Sequence, residues 1–487
     1  MEDNFRLVEY KNKKIHVRFM DKDKKYDDIV FTSLVIGPNG TGKTRLLSEI
    51  SETLRFINEL KTSDNKMKRN TFEKGLYLSY KIGKVLYEIT YEEDLEIRKD
   101  EDIISVEEID LPKRILAISF MVNDKFVFND SRDLNDIYYY LGTRQTSNAT
   151  FVNSITKKII DILIKKTTNE VFLKKLKSVM KFLSLPPVMD IYFRLKSKQL
   201  FDKEKIIQKI HLEIAKQRRR FDYRSDKIKK LSDDYIEKLI NFVKKDFNPK
   251  NLEEDSRFLV IKYSIDFKIP YKNNILSEHS DFLDTLVSLN ILSQPNLLLY
   301  GDSPYGFDNA SSGEKQFLYS MINILSHIDY GSLILLDEPE ISFHPNWQIK
   351  YIKYIKEIFE EYKNCHFLIA THSHFMISDL EPGSSTIISL NFSKDKKGLE
   401  AKLHDENTFG WSVEDILYNI FGVVTTRNLY IADEIDGFLK KISMNEIDKI
   451  NIQKELKKLS DINQNLKEVD PLKDVIKIIF DRFDYEK

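Results

Sequence analysis

The stretch Gly37-Pro-Asn-Gly-Thr-Gly-Lys43-Thr44 decides the fold of this 487-residue chain. It follows an apolar run over residues 30–36 and precedes apolar residues spaced three to four apart, which indicate one face of a helix. Strand, glycine-rich loop and helix together form the context that a phosphate-binding loop requires. Glycines let the backbone N–H groups turn toward a phosphate, and the helix N-terminus adds partial positive charge. We therefore predict a triphosphate site in which Lys43 reaches the β- and γ-phosphates and Thr44 coordinates Mg²⁺.

Composition restricts the classes of protein to consider. Hydrophobic residues make up 41% of the chain and charged residues 31%, which is typical of a globular protein with an apolar core. No apolar run approaches the roughly 20 residues of a membrane helix, and the first residues do not match a signal peptide. Cys365 is the single cysteine, which excludes an internal disulfide and a cysteine-built metal site. We expect a cytoplasmic protein without membrane contact.

The segments around the phosphate loop predict a mixed α/β domain. Loosely alternating apolar residues predict hairpins over residues 5–19 and 76–91, forming a small antiparallel sheet at the domain edge. A buried strand is predicted over residues 114–120. Asn123 and Asp124 follow it, where side chains at the carboxyl edge of an open α/β sheet bind ligands.

Residues 146–254 have a different composition and predict a basic helical insertion. Between residues 151 and 250 there are 26 Lys and Arg against 12 Asp and Glu, although the whole chain has a net charge of −1. Cations interleaved with aromatic residues suit a nucleic-acid backbone with stacking bases. Most charge runs are instead solvated helix faces, and both interpretations stay open here. The arginines of the densest basic stretch are Arg218, Arg219, Arg220 and Arg224.

Three later segments place polar residues at the ends of predicted elements. Residues 309–316 form a small-residue turn entering a helix, which suits either an anion site or an ordinary helix cap. An apolar strand ends in Asp337 and Glu338, where one carboxylate would hold Mg²⁺ and the other would polarise an attacking water. Another buried strand ends before His372, which would contact a γ-phosphate oxygen, whereas His374 is more simply explained as structural.

In this order, the motifs resemble those of the ATP-binding-cassette type of P-loop ATPase. They are most similar to its soluble branch, which contains the SMC, RecF and Rad50 heads and the overcoming-lysogenization-defect (OLD) ATPases. The resemblance implies an α/β head with a mixed sheet, flanking helices and an antiparallel edge sheet. This head would be built from residues 1–145 and 255–390, with the helical insertion at 146–254 and a helical C-terminal region at 391–487.

The resemblance also implies roles for individual residues. The catalytic residues would be Lys43, Glu338 and the switch histidine His372, with Thr44 and Asp337 as Mg²⁺ ligands. The D-loop would contain Ser342 and His344. The Q-loop glutamine of the family has no clear match, and Asn123 or Asp124 is its nearest candidate. The implied Walker A residues are Gly37, Asn39, Gly40, Thr41, Gly42, Lys43, Thr44 and Arg45, and the implied signature residues are Ser311, Ser312, Gly313 and Glu314.

In this family the signature of one head closes the Walker A site of a second head. A lone phosphate loop leaves the γ-phosphate open to water, whereas a second anion site supplied by symmetry completes the cage. We therefore expect a homodimer, or a higher even oligomer, that holds two ATP molecules with Mg²⁺. ATP binding would close the dimer and hydrolysis would release it.

The C-terminal region lacks the paired Asp-x-Asp of the OLD nuclease domain, so we expect an ATPase without a built-in nuclease. Stand-alone heads with an Ile-Ser-Phe-His-Pro D-loop resemble the ATPase subunits of bacterial antiphage systems, such as Septu, PARIS and retron-associated ATPases. That resemblance implies a sensor and scaffold that controls a separately encoded nuclease or toxin. The alternatives are a DNA-clamping ATPase of repair or chromosome maintenance, and the nucleotide-binding subunit of a transporter, which fits least because the D-loop differs.

Overall fold

The computed structural model forms two compact units, Met1–Gly410 and Trp411–Lys487. The structure describes residues 4–21, 26, 30–62, 72–121, 124–128, 136–146, 149–150, 152–197, 202–219, 226–248, 250–252, 255–268, 274–378, 380–381, 383–393, 398–404, 408–421, 437, 440, 449–466 and 471–483.

Strands predominate in the first 150 residues, and helices and strands are interspersed after them. The strands are β1 (Phe5–Lys11), β2 (His16–Arg18), β3 (Phe31–Ile36), β4 (Leu76–Ile82), β5 (Val85–Tyr91), β6 (Leu95–Lys99), β7 (Asp102–Ile104), β8 (Ile115–Ser119), β9 (Tyr138–Tyr140), β10 (Arg144–Thr146), β11 (Ala149–Thr150), β12 (Val188–Arg194), β13 (Lys250–Leu252), β14 (Asp255–Asp266), β15 (Asn296–Tyr300), β16 (Pro304–Gly306), β17 (Leu333–Asp337), β18 (His366–Thr371), β19 (Ser385–Phe392) and β20 (Leu399–His404). The helices are α1 (Lys43–Thr62), α2 (Val152–Lys166), α3 (Glu170–Phe182), α4 (Lys203–Arg219), α5 (Asp226–Lys229), α6 (Asp233–Lys245), α7 (Asn274–Ser288), α8 (Ser312–His327), α9 (Pro345–Ile358), α10 (Val413–Asn419), α11 (Lys449–Asn465) and α12 (Pro471–Arg482).

A seven-stranded mixed sheet with the order β20-β19-β3-β18-β17-β8-β9 forms the centre of the first unit. Every residue of β3, β8, β17 and β18 is buried, and these strands are parallel. Continuous apolar runs are typical of parallel strands that are covered on both faces. Ile36 pairs with Thr371, and Asp337 pairs with both Ala370 and Ser119. The carboxyl ends of four adjacent strands therefore lie in one row.

A six-stranded antiparallel sheet, β2-β1-β4-β5-β6-β7, contains both predicted hairpins. The predicted apolar face of α1 is buried in one cluster with residues of this sheet and of the central sheet, such as Leu78 and Leu368. The fold class predicted from the sequence, a mixed sheet with flanking helices and an antiparallel edge sheet, is thus confirmed. The members of this helix face are Leu46, Leu47, Ile50, Leu54 and Ile57.

The predicted helical insertion contains helices α2 to α6 but also the strands β11, β12 and β13. β12 pairs antiparallel with β14 and β15 in a five-stranded sheet of order β13-β14-β12-β15-β16. Both partner strands are distant in sequence, so the short apolar run at β12 did not by itself predict a strand.

The C-terminal part of the chain also differs from the prediction in one respect. Helices were expected from residue 391, yet β20 pairs antiparallel with β19 and completes the central sheet. Beyond it, α10, α11 and α12 match the expected helical character of the second unit. Leu456, Leu459, Leu472 and Ile476 belong to a separate buried cluster in that unit. Among the described residues, no helix is both long and apolar enough to cross a membrane.

His366 joins the central sheet to the antiparallel sheet. Its Nδ1 accepts a hydrogen bond from Leu7 N at 2.9 Å, so Nε2 carries the proton and donates to Ser33 Oγ at 2.8 Å. Complete burial lowers the pKa of His366 well below its ordinary value. The ring is therefore neutral in the folded protein.

We predict that His366 makes folding sensitive to acid. Below about pH 6.5 His366 becomes protonated in the unfolded chain, whereas its ring stays neutral in the folded protein. The free energy of unfolding therefore falls by up to about 1.4 kcal/mol for each pH unit of acidification. Between pH 7.5 and 5.5, the unfolding temperature of His366→Asn should therefore fall less than that of the wild type. The exposed His211→Asn is the control and should retain the full loss. Equal acid losses in all three proteins would contradict this role.

Candidate active site

The phosphate loop connects β3 to α1 at the carboxyl edge of the central sheet. Gly40 and Gly42 have φ angles of +86° and +83°, a conformation that favours glycine. A Cβ atom on Gly37 would collide with the carbonyl oxygen of Leu390 on neighbouring β19. The loop therefore has the backbone geometry that its glycines predict. Of the other predicted loop residues, Asn39 is exposed, whereas Thr41 is buried and donates a hydrogen bond to Pro38 O at 2.9 Å.

Lys43 lies inside this loop, at the start of α1. Its ammonium group donates to Gly37 O at 2.8 Å and lies 2.7 Å from Nε2 of His372. Burial lowers the pKa of Lys43, while the nearby carboxylates of Glu338 and Asp337 oppose that effect. The neighbouring predicted residue Arg45 is exposed and pairs with Glu49 one turn along the helix.

Thr44 and Asp337 meet across α1 and β17. The Thr44 hydroxyl donates to one carboxylate oxygen of Asp337 at 2.9 Å, and Ser119 donates to the other at 3.3 Å. Burial raises the pKa of Asp337 to about 6. A hydroxyl and a carboxylate this close are hard oxygen donors of the kind that Mg²⁺ prefers, and Mg²⁺ usually takes few protein ligands beside phosphate oxygens and water. The donor set therefore fits the predicted metal.

Glu338 and His372 follow adjacent strands and face each other. Glu338 has a φ of +48°, and its N–H donates to Ala370 O at 2.8 Å, which joins the turn after β17 to β18. Its Oε1 lies 3.2 Å from Nε2 of His372, and this contact lowers the pKa of Glu338. The same ring nitrogen contacts Lys43, from which it accepts a hydrogen bond only when unprotonated. It donates to Glu338 only when protonated, so the two hydrogen bonds exclude each other.

The predicted signature residues lie at the start of α8 and are engaged within their own turn. Ser311 Oγ accepts a hydrogen bond from Glu314 N at 3.2 Å, and a Glu314 carboxylate oxygen accepts one from Ser311 N at 2.7 Å. This capping box leaves Ser311 and Ser312 exposed. Among the described residues, none of the contacts given for this turn reaches Lys43.

The signature turn instead touches the predicted D-loop of the same chain. A Cβ atom on Gly313 would lie 2.8 Å from the carbonyl oxygen of Ser342, so only glycine permits this approach. Ser342 itself has a φ of +71°. His344 caps α9, because its Nδ1 accepts a hydrogen bond from Asn346 N at 3.3 Å.

Of the remaining predicted residues, Asp124 acts on this cluster through its charge, which adds to the raised pKa of Asp337. Asp124 is buried, accepts a hydrogen bond from Tyr140 at 2.7 Å and pairs with Arg144 at 3.4 Å. Asn123 lies outside the described residues, so the Q-loop position stays a prediction. The ring of His374 contacts the ring of Phe375.

The basic stretch of the insertion is described only at its start. Arg218 donates to Leu231 O at 3.0 Å and lies 3.7 Å from Asp233, so its described contacts are within the insertion. The side chain of Arg219 and all of Arg220 and Arg224 lie outside the described residues. Nucleic-acid binding through this stretch therefore remains a prediction.

Two residues that contact the site were missed by the sequence analysis. Ser119 is the last residue of β8 and donates to Asp337, and its place near the end of the strand predicted over residues 114–120 was the available signal. Glu340 is buried behind His372 and accepts a hydrogen bond from its backbone N–H. Its proximity to Glu338 in sequence did not reveal that contact.

A phosphate loop, a pair of carboxylates and a histidine on adjacent parallel strands define a P-loop nucleotide triphosphatase site. The chain belongs to the AAA ATPase domain family, whose family model matches residues 3–377. The predicted resemblance to a P-loop ATPase is thus confirmed.

The chain is also similar to individual proteins. It is 29% identical over 159 residues to the Septu protein PtuA of Bacillus thuringiensis, a segment that covers 30% of this chain and 39% of that protein. The SMC head domain from Thermotoga maritima aligns with a TM-score of 0.34 at 10% identity, covering 82% of this chain and all of that one.

The SMC head domain from Pyrococcus furiosus, with an extended coiled coil and bound to the C-terminal domain of ScpA, aligns with a TM-score of 0.30 at 12% identity. This alignment covers 82% of this chain and 96% of that one. Both TM-scores are low, and neither likeness bears on the function of this chain.

Proposed function

We propose that this protein hydrolyses ATP at the carboxyl edge of its central sheet. The observation that carries the proposal is the convergence of Lys43, Asp337, Glu338 and His372 from the ends of three adjacent strands. His372 contacts both Lys43 and Glu338, and Asp337 accepts a hydrogen bond from Thr44, the residue after Lys43, although more than 300 positions separate Lys43 from His372. Stability alone does not explain this grouping of an ammonium, two carboxylates and an imidazole beside a glycine loop, because burying charged groups costs free energy.

The chemistry follows from the positions of the groups. A bound γ-phosphate would draw the Lys43 ammonium away from Gly37 O and His372, because a phosphate anion is the stronger acceptor. Thr44 and Asp337 would hold Mg²⁺, which would neutralise charge on the phosphate oxygens. Glu338 is held ionised beside His372 and would orient and polarise the attacking water. His372, once released by Lys43, would contact the γ-phosphate.

We propose further that the active form is a homodimer, or a higher even oligomer, with two composite sites. The signature turn at the start of α8 is exposed, and in the described contacts it does not reach the phosphate loop of its own chain. A second copy would supply that turn to the γ-phosphate by symmetry. The capping box presents the Ser311 hydroxyl and the first N–H groups of the helix, which favour an anion.

Glu338→Gln should separate binding from hydrolysis. The amide retains the shape of the side chain but cannot polarise water as a carboxylate does, so phosphate release should fall about 100-fold or more. Light scattering should show an ATP-dependent dimer that persists for longer than that of the wild type. The exposed carboxylate variant Glu357→Gln serves as the control and should turn over normally. Rapid turnover by Glu338→Gln would show that Glu338 does not polarise the attacking water.

Mixing two inactive variants should test the composite site. Lys43→Ala disables the phosphate loop, and Ser311→Asp retains the helix cap while placing negative charge against the opposing γ-phosphate. A heterodimer of the two would contain one intact site, so an equal mixture should recover about a quarter of wild-type activity. Ser311→Asn is the neutral control for the cap. If the mixture stays inactive although heterodimers form, the signature does not act in trans.

We propose that ATP turnover controls a separately encoded effector, a nuclease or toxin, in antiphage defence, with nucleic acid as a candidate trigger bound by the basic insertion. Two observations support this proposal: the similarity to the Septu protein PtuA over part of both chains, and the head-like motif order without the Asp-x-Asp pair of the OLD nuclease. The DNA-clamping alternative shares the ATP site but requires no effector.

Co-expression with the neighbouring genes should distinguish these functions. We expect the ATPase to copurify with an effector, and the mass of the complex to show at least two ATPase chains. Effector activity, measured as nuclease activity or toxicity, should change when ATP is added and should lose that response in Glu338→Gln. ATPase activity that DNA stimulates with no partner present would instead favour the DNA clamp.

A further inference from the structure

Glu340 is a buried carboxylate on the turn that follows β17. The residue is only 8% exposed, and one oxygen, Oε1, accepts two hydrogen bonds. The Thr371 hydroxyl donates at 2.6 Å and the His372 backbone N–H at 2.7 Å. Thr371 is the last residue of β18, and His372 follows it directly. Glu340 therefore holds the backbone at His372, from which the imidazole ring projects.

The turn containing Glu340 is already held by other contacts. Gln316 of α8 donates to Pro339 O at 2.9 Å, and Gln348 of α9 donates to Phe343 O at 2.9 Å. Glu338 N adds the bond to β18. Because these ties fix the turn on three sides, stability alone does not account for a buried carboxylate at Glu340.

The Glu340 carboxylate is also incompletely satisfied. Its second oxygen, Oε2, is buried and has no hydrogen-bond partner among the described residues, and the same is true of the hydroxyl of Tyr351 on α9. Native proteins rarely leave buried polar atoms unpaired, because each one costs free energy. Residues that cost stability in this way are more often retained for function than for folding.

We propose that Glu340 is a positioning residue for ATP hydrolysis, which sets the place of the His372 ring between Lys43 and Glu338 by holding the His372 backbone. The proposal rests on the proposed ATPase function. The His372 ring nitrogen lies 2.7 Å from the Lys43 ammonium and 3.2 Å from the Glu338 carboxylate. A small shift of the backbone at His372 would therefore change both distances at once. The described side-chain hydrogen bonds of Glu340 lead to Thr371 and His372, and none of them reaches the phosphate loop or Glu338.

Three substitutions at Glu340 distinguish the effect of side-chain length from the effect of charge. Glu340→Gln retains the reach and one acceptor oxygen, so turnover should stay within about threefold of the wild type. Glu340→Asp retains the charge but is one methylene shorter, and Glu340→Ala removes both. These two should lower kcat by about 10- to 100-fold, since displacement of a catalytic group by about 1 Å has effects of this size. The dissociation constant of a non-hydrolysable ATP analogue should change less than threefold in all of them.

A double-mutant comparison tests whether Glu340 acts through His372. Adding Glu340→Ala to His372→Ala should reduce the single-turnover rate by less than threefold, because the ring that Glu340 positions is already absent. A full additional loss in that background would overturn the proposal. So would a wild-type kcat in Glu340→Asp, or equal losses in the Gln and Asp variants, which would indicate a role in charge or stability. Hydrolysis by the wild-type protein tests the ATPase function separately.

Discussion

The in-register pairing of β3, β18, β17 and β8 is the constraint on which the rest of the structure depends. Parallel strands lie about 4.8 Å apart, so side chains that follow neighbouring strand ends fall within reach of one triphosphate. The backbone pairing of Ile36 with Thr371, and of Asp337 with Ala370, sets this row. A shift of one residue in any of these strands would turn its buried side chains to the opposite face. The complete burial of these strands holds the register, because either face would lose apolar contacts.

The site combines charged groups that are costly to bury singly. Lys43 lies among carboxylates, Asp337 receives hydroxyl donors on both oxygens, and Glu338 lies against His372. Burial and pairing act in opposite directions on these groups, so the pKa of Asp337 rises to about 6 while that of Glu338 falls. The two neighbouring carboxylates are thereby made unequal. In the proposed mechanism the more buried one, Asp337 beside Thr44, would hold Mg²⁺, and the more ionised one, Glu338, would orient the attacking water.

The turn after β17 connects three parts of the first unit. It is held to β18 through Glu338 and Glu340, to α8 through Gln316, and to α9 through Gln348. At Gly313 the start of α8 approaches the same turn so closely that no side chain fits. The turn after β17 and the start of α8 are therefore packed together in one chain, and a displacement of one is resisted by the other.

The sequence by itself determined the fold class, the phosphate loop and the strand ends that carry Asp337, Glu338 and His372. These features depend on local patterns, since a buried strand, a glycine-rich turn and an amphipathic helix each show within about twenty residues. Tertiary structure alone decided that β12 is a strand, that β20 extends the central sheet, and that Ser119 and Glu340 contact the site. Each of these depends on a partner distant in sequence, and pairing between distant segments leaves no periodic trace in either one.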